Sequence, residues 1–322
     1  MAFESRPELS AIVQQITLNR EGLVADAIFP KVQTGCKFSY IDWTKELAGL
    51  KSISDHVSCK TDAHEVDSEG YEIIDASTRD HALMQVLDEC CVTVCGKPNI
   101  NAQIEQGKTR QLANKLLISR EQRAIKLATD DVHYTNNNSK KPGDANAVID
   151  GGRFTMTRTA FFDAANDVRA YFDAINDYAM YGKRNVMIAD RATINQILTH
   201  PSMLGKGCIV DPKTTLDAVA SLIGLDRIIV ADAPYNDGIG NQVSISKLWP
   251  TGKILFTSSY DFVTSNDQQF AFGITGMSQD LTQTSWIDPK KGKGEGARMQ
   301  KIGHDLTEVV LSYKAATLVN LT

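Results

Sequence analysis

Hydrophobic and polar positions change their spacing repeatedly along this chain, and each change predicts an element. Leu9, Ile12, Val13 and Ile16 are spaced for one helical face but are too few to bury it, so residues 1 to about 30 read as an extended arm that docks on a neighbour. In Lys37–Trp43, Phe38, Tyr40 and Asp42 alternate with Ser39 and Ile41, the period of a strand. Residues 44–70 are rich in Lys, Asp, Ser, His and Gly and read as an exposed loop or hairpin excursion. A strand returns at Tyr71–Asp75, and His81–Leu87 follows as another strand or a short helix. Residues 35 to 90 as a whole predict an outstretched two-stranded flap.

The longest helical signal begins after Pro98 and Asn99 and runs to about Asp130, with Ile104, Leu112, Leu116, Leu117, Ala124, Leu127 and Ala128 forming one stripe. A helix of that length is a rod of about 45 Å. Asn136–Gly143 then breaks the pattern. From about 157 helix and strand alternate: helix Ala160–Asp177, strand Asn185–Ala189, helix Arg191–Leu204, helix Thr215–Ile223 and strand Asp226–Ala231. Ser244–Trp249 and Lys253–Thr257 read as two short strands joined by a Pro-Thr-Gly turn. The stretch 260–300 reads as irregular, and Leu306–Tyr313 as a closing strand.

Composition narrows the class. With 42% hydrophobic and 23% charged residues, the chain of 322 residues has what it needs for a substantial core. No apolar run approaches the roughly 20 residues of a membrane span, and the first residues lack the layout of a secretory signal, which predicts a protein made and used in cytosol. The six cysteines are few and irregularly placed, so no disulfide framework is expected. A net charge of -5 opposes a surface built to grip nucleic acid, and so excludes sequence-specific DNA binding. It suits the wall of a container past which DNA has to move.

The Gly-Lys run Asp288–Gly296 lacks the Lys-Ser or Lys-Thr pair of a phosphate loop and reads as a mobile exposed loop reaching a neighbouring subunit. Cys90, Cys91 and Cys95, preceded by His81, do not have the paired spacing of a zinc knuckle and read as thiols in a strand. His56, Cys59 and His64 share a polar loop but lack a fourth ligand. Asp130-Asp131 and Asp88-Glu89 are carboxylate pairs at what read as solvent-facing element ends. Neither a nucleophile elbow nor a dinucleotide fingerprint is present, and the strand at 185–189 runs into Asp190-Arg191-Ala192 where a cofactor-binding half needs a Gly-rich turn. The expectation is no enzyme, no catalytic residues, no cofactor and no metal.

An ordered set of segments carries a resemblance. Gly22 to Val32, followed by Gly35 to Tyr40, resembles the arm of a group of tailed-bacteriophage major capsid proteins, in which an Ala-Asp-x-Ile/Val-Phe-Pro-x-Val segment precedes a Gly-Lys-Tyr-like strand. Asn185–Asp190, Leu198–Pro201, Ala218–Gly224, Arg227–Ala231, Ser246–Trp249 and Lys253–Phe256 are similar to later blocks of the same family, in the same order. Two departures are Ala27, where the family often has Arg, and Phe161 or Phe162 in place of a Trp.

The resemblance implies an α+β Hong Kong 97-like capsid fold. Residues 1–34 would be the N-terminal arm, 35–97 the extended loop and flanking strands, 98–156 the peripheral domain with its spine helix, 157–260 the axial domain, and 261–322 a return to the peripheral domain. It implies a virion protein that partners with itself in pentamers and hexamers around double-stranded DNA, with portal, scaffolding and decoration proteins as further partners. Lys45, Lys51 and Lys60 could in principle form isopeptide cross-links of the kind some phage shells use, against the plainer reading of solvated loop lysines. Two rival expectations are an encapsulin-like compartment shell and an α/β cofactor-binding enzyme.

Overall fold

The computed structural model describes residues 22–42, 72–87, 98–136, 152–156, 185–199, 212–222, 224–238, 243–258, 271–291 and 296–321. In chain order they form the single turn α1 (Ala25–Ile28), strands β1 (Lys31–Gln33), β2 (Lys37–Asp42), β3 (Glu72–Ser77) and β4 (Arg79–Leu87), and the long helix α2 (Pro98–Ala128). Next come β5 (Thr135–Asn136), β6 (Gly152–Met156), β7 (Val186–Ala189), α3 (Arg191–Leu198), α4 (Pro212–Leu222), β8 (Arg227–Val230), β9 (Pro234–Asn236) and β10 (Ile245–Lys247). The chain finishes with β11 (Lys253–Thr257), β12 (Gly273–Asp288), β13 (Ala297–Val310) and β14 (Ala316–Leu321).

Two sheets are held by one strut. At 31 residues α2 is about 46 Å long. It begins on Pro98, whose missing N–H costs nothing in a first helical turn. It stops where Asp130 turns extended and its carboxylate accepts the Val132 N–H at 3.1 Å. The first half of its apolar stripe, Leu112, Ala113 and Leu116, packs on Leu281 and Ile302 of a four-stranded sheet ordered β1-β12-β13-β4. The second half, Ala124, Ile125 and Ala128, packs with Ile188, Leu255 and Leu318 of a six-stranded sheet ordered β5-β6-β14-β11-β7-β8. α3 and α4 cover the other face of that second sheet, where Ile194, Ile197, Val219 and Ala220 meet Met187, Ile254, Phe256 and Val319. β7 is buried on both faces, which is why its four residues are all apolar.

The four-stranded sheet departs most from expectation. Residues 260–300 are not irregular as a whole: β12 and β13 are strands of 16 and 14 residues that pair antiparallel from Gly273 with Val310 to Asp288 with Ala297. Of the Gly-Lys run, Asp288–Lys291 leave β12 and Gly296, at φ +105, leads into β13, while residues 292–295 lie outside the described residues. The strand expected at Leu306–Tyr313 is the end of β13, and β14 closes the chain instead. His81–Leu87 is a strand, but β4 pairs with β13 and so belongs to this sheet, leaving β2 and β3 as the antiparallel ribbon of the expected flap. β10 and β11 are not hairpin partners either; β10 pairs with β9, while β11 lies between β14 and β7. α3 ends at Leu198, and the helix expected at Ala160–Asp177 lies outside the described residues.

Candidate functional site

Beneath α2 runs a buried polar seam that no local sequence pattern announces. Glu121, 2% exposed, turns its carboxylate to the start of α1 and accepts the Val24 N–H at 2.5 Å and the Ala25 N–H at 3.0 Å. A carboxylate on those unsatisfied donors complements the positive end of the turn. Next to it, Arg120 reaches Asp26 at 2.7 Å and Glu308 at 3.7 Å, and Arg123 reaches Glu308 at 3.4 Å. Further along, Gln300 donates to Thr109 Oγ1 at 2.5 Å and accepts from Gln85 at 3.0 Å, so β13 and β4 are tied to the helix in the same layer.

Two histidines sit in that seam. His304 on β13 and His81 on β4 are directly paired in register, with ring centroids 5.8 Å apart. Burial, then the charges of Arg120, His81 and Arg123, hold the His304 imidazole down to about 3. Burial and Arg123 also lower His81, with Glu308 opposing. Both rings are therefore neutral at pH 7. Burial raises the Glu121 carboxyl, and the two backbone N–H bonds only partly offset it. Lost hydration pushes Asp26 up, but Arg120, by charge and by hydrogen bond, outweighs it and leaves the group below its ordinary value.

The seam also corrects two expectations. Residues 24–29 are not a free arm, because Val24, Ala25, Ile28 and Phe29 are buried in this chain's own core. Asp131 is not a plain solvent-facing carboxylate, since it accepts from Lys253 Nζ at 3.0 Å and Asn320 Nδ2 at 3.1 Å.

On the opposite face of the four-stranded sheet lies the root of the β2–β3 ribbon. Tyr40, Phe38, Ile74 and Ala76 pack there with Ile274, Val309, Ala271 and Leu311. Two glycines of β12 admit aromatic rings from the two sides: a Cβ at Gly273 would collide with Phe29, and one at Gly276 with Phe38. Beyond that anchor the surface is open and partly apolar, with Ile73 62%, Met84 52% and Val86 43% exposed. The β9–β10 ribbon likewise presents Ile245, beside Val243. Its base is pinned by Asp232, which pairs with Arg191 at 2.7 Å and Lys247 at 2.5 Å; their hydrogen bonds lower its carboxyl.

Among the described residues, the candidates for chemistry are not gathered into a reactive centre. His81 faces His304, while Cys90, Cys91, Cys95, His56, Cys59, His64, Lys45, Lys51, Lys60, Asp88 and Glu89 lie outside the described residues. Among the described residues no group of three or more His, Cys, Asp or Glu side chains could hold a metal ion, and no helix is long and apolar enough to cross a membrane. Asp190 stands where a cofactor-binding turn would need glycine; it is buried and caps α3 through the Thr193 N–H at 3.2 Å.

No protein-family model matches the chain, and no curated protein matches it in sequence. Solved structures do match it from end to end. A phage-related protein from Bordetella bronchiseptica RB50 superposes with a TM-score of 0.67 at 15% identity, covering 99% of this chain and 97% of its own. The putative capsid protein of a prophage of E. coli CFT073 gives 0.55 at 10% identity, covering all of both chains (100% and 100%). The capsid of an empty GTA particle, computed with C5 symmetry, gives 0.52 at 15% identity over 94% of this chain and 91% of that one. The α+β fold of this chain is thus the fold of that phage-related protein and of these two capsid chains.

Proposed function

We propose that this chain is the major capsid protein of a tailed bacteriophage, assembling with copies of itself into pentamers and hexamers that close an icosahedral head around double-stranded DNA. The observation that carries the reading is the end-to-end fold match to phage capsid chains. The exposed apolar residues support it. Ile73, Met84, Val86 and Ile245 lie on strands at the margins of the fold, where a monomer gains nothing by keeping them and a subunit in a shell buries them against its neighbours. Rings of such contacts close by symmetry.

In this reading 1–34 is the N-terminal arm, with residues 24–29 seated in this chain's own core, 35–97 the extended loop with its flanking strands, 98–156 the peripheral domain with α2 as its spine, 157–260 the axial domain, and 261–322 the return to the peripheral domain. The protein acts in the virion head after assembly in the host cytoplasm, and no catalytic step is assigned to it. Portal, scaffolding and decoration proteins are its further partners.

The test is to co-express the chain with its genomic neighbours, purify fast-sedimenting particles and treat them with nuclease. Phage heads protect long double-stranded DNA. Particles filled with a single enzyme cargo would instead make the chain a compartment shell. A protein that stays in small oligomers and turns over a nucleotide cofactor would contradict both.

A further inference from the structure

His81 on β4 and His304 on β13 stand directly opposite each other across an antiparallel pair, beneath α2. β4 is an edge strand of the four-stranded sheet, held by β13 beside it and by the helix above it. His304 is 3% exposed and its Nε2 has no hydrogen-bond partner. His81 is half-buried and lines a cleft of about 320 Å³ between α2 and the start of β4, through which solvent protons reach the pair. The charges acting on the two rings are Arg120 and Arg123 of α2, Arg79 and Asp80 of β4, Glu308 of β13 and Lys31 of β1. Lys126 and Asp130 of the α2 end line the same cleft, and Asp26 and Glu121 lie where α1 meets the helix. Each carboxylate around the pair already has a partner. Glu308 holds Arg120 and Arg123, Asp26 holds Arg120, Asp80 lies 3.7 Å from Lys301, Asp130 accepts the Val132 N–H, and Glu121 accepts from Val24 and Ala25. A proton arriving on either ring thus finds no uncommitted counter-ion among these groups.

We propose that His81 and His304 form an acid-operated latch: while both rings are neutral β4 is held to β13 and α2, and protons taken up by the pair release β4 while the six-stranded sheet stays closed. Like charges directly opposite on adjacent strands destabilise the pairing, and so near the buried seam little water screens them. The direction follows from linkage. His304 is held to about 3 in the closed state against an ordinary 6.5, so the released state takes the proton first; at pH 5 this ring alone raises the release equilibrium roughly thirtyfold. His81, also lowered, adds to the effect. Asp26, lowered, acts the same way but only around and below its ordinary 3.8, and Glu121, raised, opposes it. None of the six strands of the other sheet contains a histidine, so acid has no such handle there. Thr78 alone separates β3 from β4, so freedom gained by β4 passes to the β2–β3 ribbon. The latch is a property of the single chain, and its failure would leave the capsid reading untouched.

The test is backbone hydrogen exchange of the full-length protein, read by mass spectrometry at about pH 7.5 and about pH 5 and corrected for the intrinsic effect of pH on exchange. Peptides covering β4 and the part of β13 opposite it are expected to exchange roughly thirtyfold faster at the lower pH, while those covering β7 and β11 keep their rate. His304→Gln should abolish the acid response of β4, and exchange in β7 and β11 near neutrality shows whether that variant is folded. His81→Gln, at the half-buried site, should weaken the response severalfold, since one of the two opposed cations is then missing. The unaltered protein supplies a further readout that needs no variant: exchange of the imidazole C2 hydrogens reports the protonation of each ring. The midpoint for His304 should coincide with the release of β4 and fall between about 3 and 6.5.

Acceleration of every strand together would mean that acid acts on the whole fold and would overturn the latch. So would a β4 whose exchange is the same at both pH values, a response that survives folded His304→Gln, or a His304 midpoint that does not track the release of β4.

Discussion

The two faces of α2's neighbourhood are stabilised by different means. In the six-stranded sheet the helix meets apolar surface: Ile188, Leu255 and Leu318 are fully buried, and what matters is that their volume is filled. Under the four-stranded sheet the same helix meets Glu308, His304, Gln300 and Thr275, whose burial is tolerable only because each is matched to a partner or kept neutral. One region is specified by shape and the other by charge and hydrogen bonding. A shape-conserving substitution should therefore be mild in the first and severe in the second, and truncation severe in both.

The largest effect is expected from Phe256→Ala in the six-stranded sheet, where emptying a fully buried aromatic site costs about 3–5 kcal/mol by denaturant unfolding. Glu308→Gln keeps the volume yet leaves Arg123 facing a neutral amide and Arg120 with Asp26 alone, and should cost about 3 kcal/mol. If it melts like the unaltered protein, the seam is not electrostatic and the comparison fails.

Acid sharpens the contrast. His304 has its folded value held down to about 3 against an ordinary 6.5, so the unfolded chain takes up this proton first as pH falls. The stabilisation is complete well above pH 6.5 and is lost progressively between there and about 3, the loss reaching about 2 kcal/mol by pH 5. His81 shifts the same way and adds to the loss; Glu121, raised, works against it because the folded state accepts its proton more readily. Melting temperature against pH should fall from neutrality toward pH 4, and His304→Gln should flatten the slope. A slope unaffected by that substitution would contradict the buried neutral imidazole.

Smaller effects test the two anchors. Gly276→Ala drives a methyl group into the Phe38 ring and should cost about 1–2 kcal/mol, with faster hydrogen exchange in β2 and β3 and little change in β7. Ile188→Leu, which conserves volume in the apolar layer, should cost under about 1.5 kcal/mol.

The same contrast explains what could be read without a structure. β7 and α2 were legible because their partners are apolar, and an apolar partner demands a periodic apolar stripe. β12 and the part of β13 before Leu306 were not. Their helix-facing positions include Thr275, Gln283, Ser285, Gln300 and His304, which look like loop residues until Arg120, Thr109 and the rest of the seam are brought opposite them. Gly273 and Gly276 added to the loop-like appearance, although each is small because a phenylalanine occupies its place. The segment around Asp26 read as a free arm for a related reason. The carboxylate that fixes α1 belongs to Glu121, some 97 residues away, a distance no local pattern reports. The exposed apolar strands were visible as strands, but their openness was not, since alternation tells which residues share a face and not whether anything covers it.

The central claim is that this chain works by assembling with itself. Electron microscopy of the purified full-length protein, alone and with its co-expressed genomic neighbours, tests it most directly. The account predicts closed shells built from five- and six-membered rings. Only monomers or small open oligomers under every condition would contradict it.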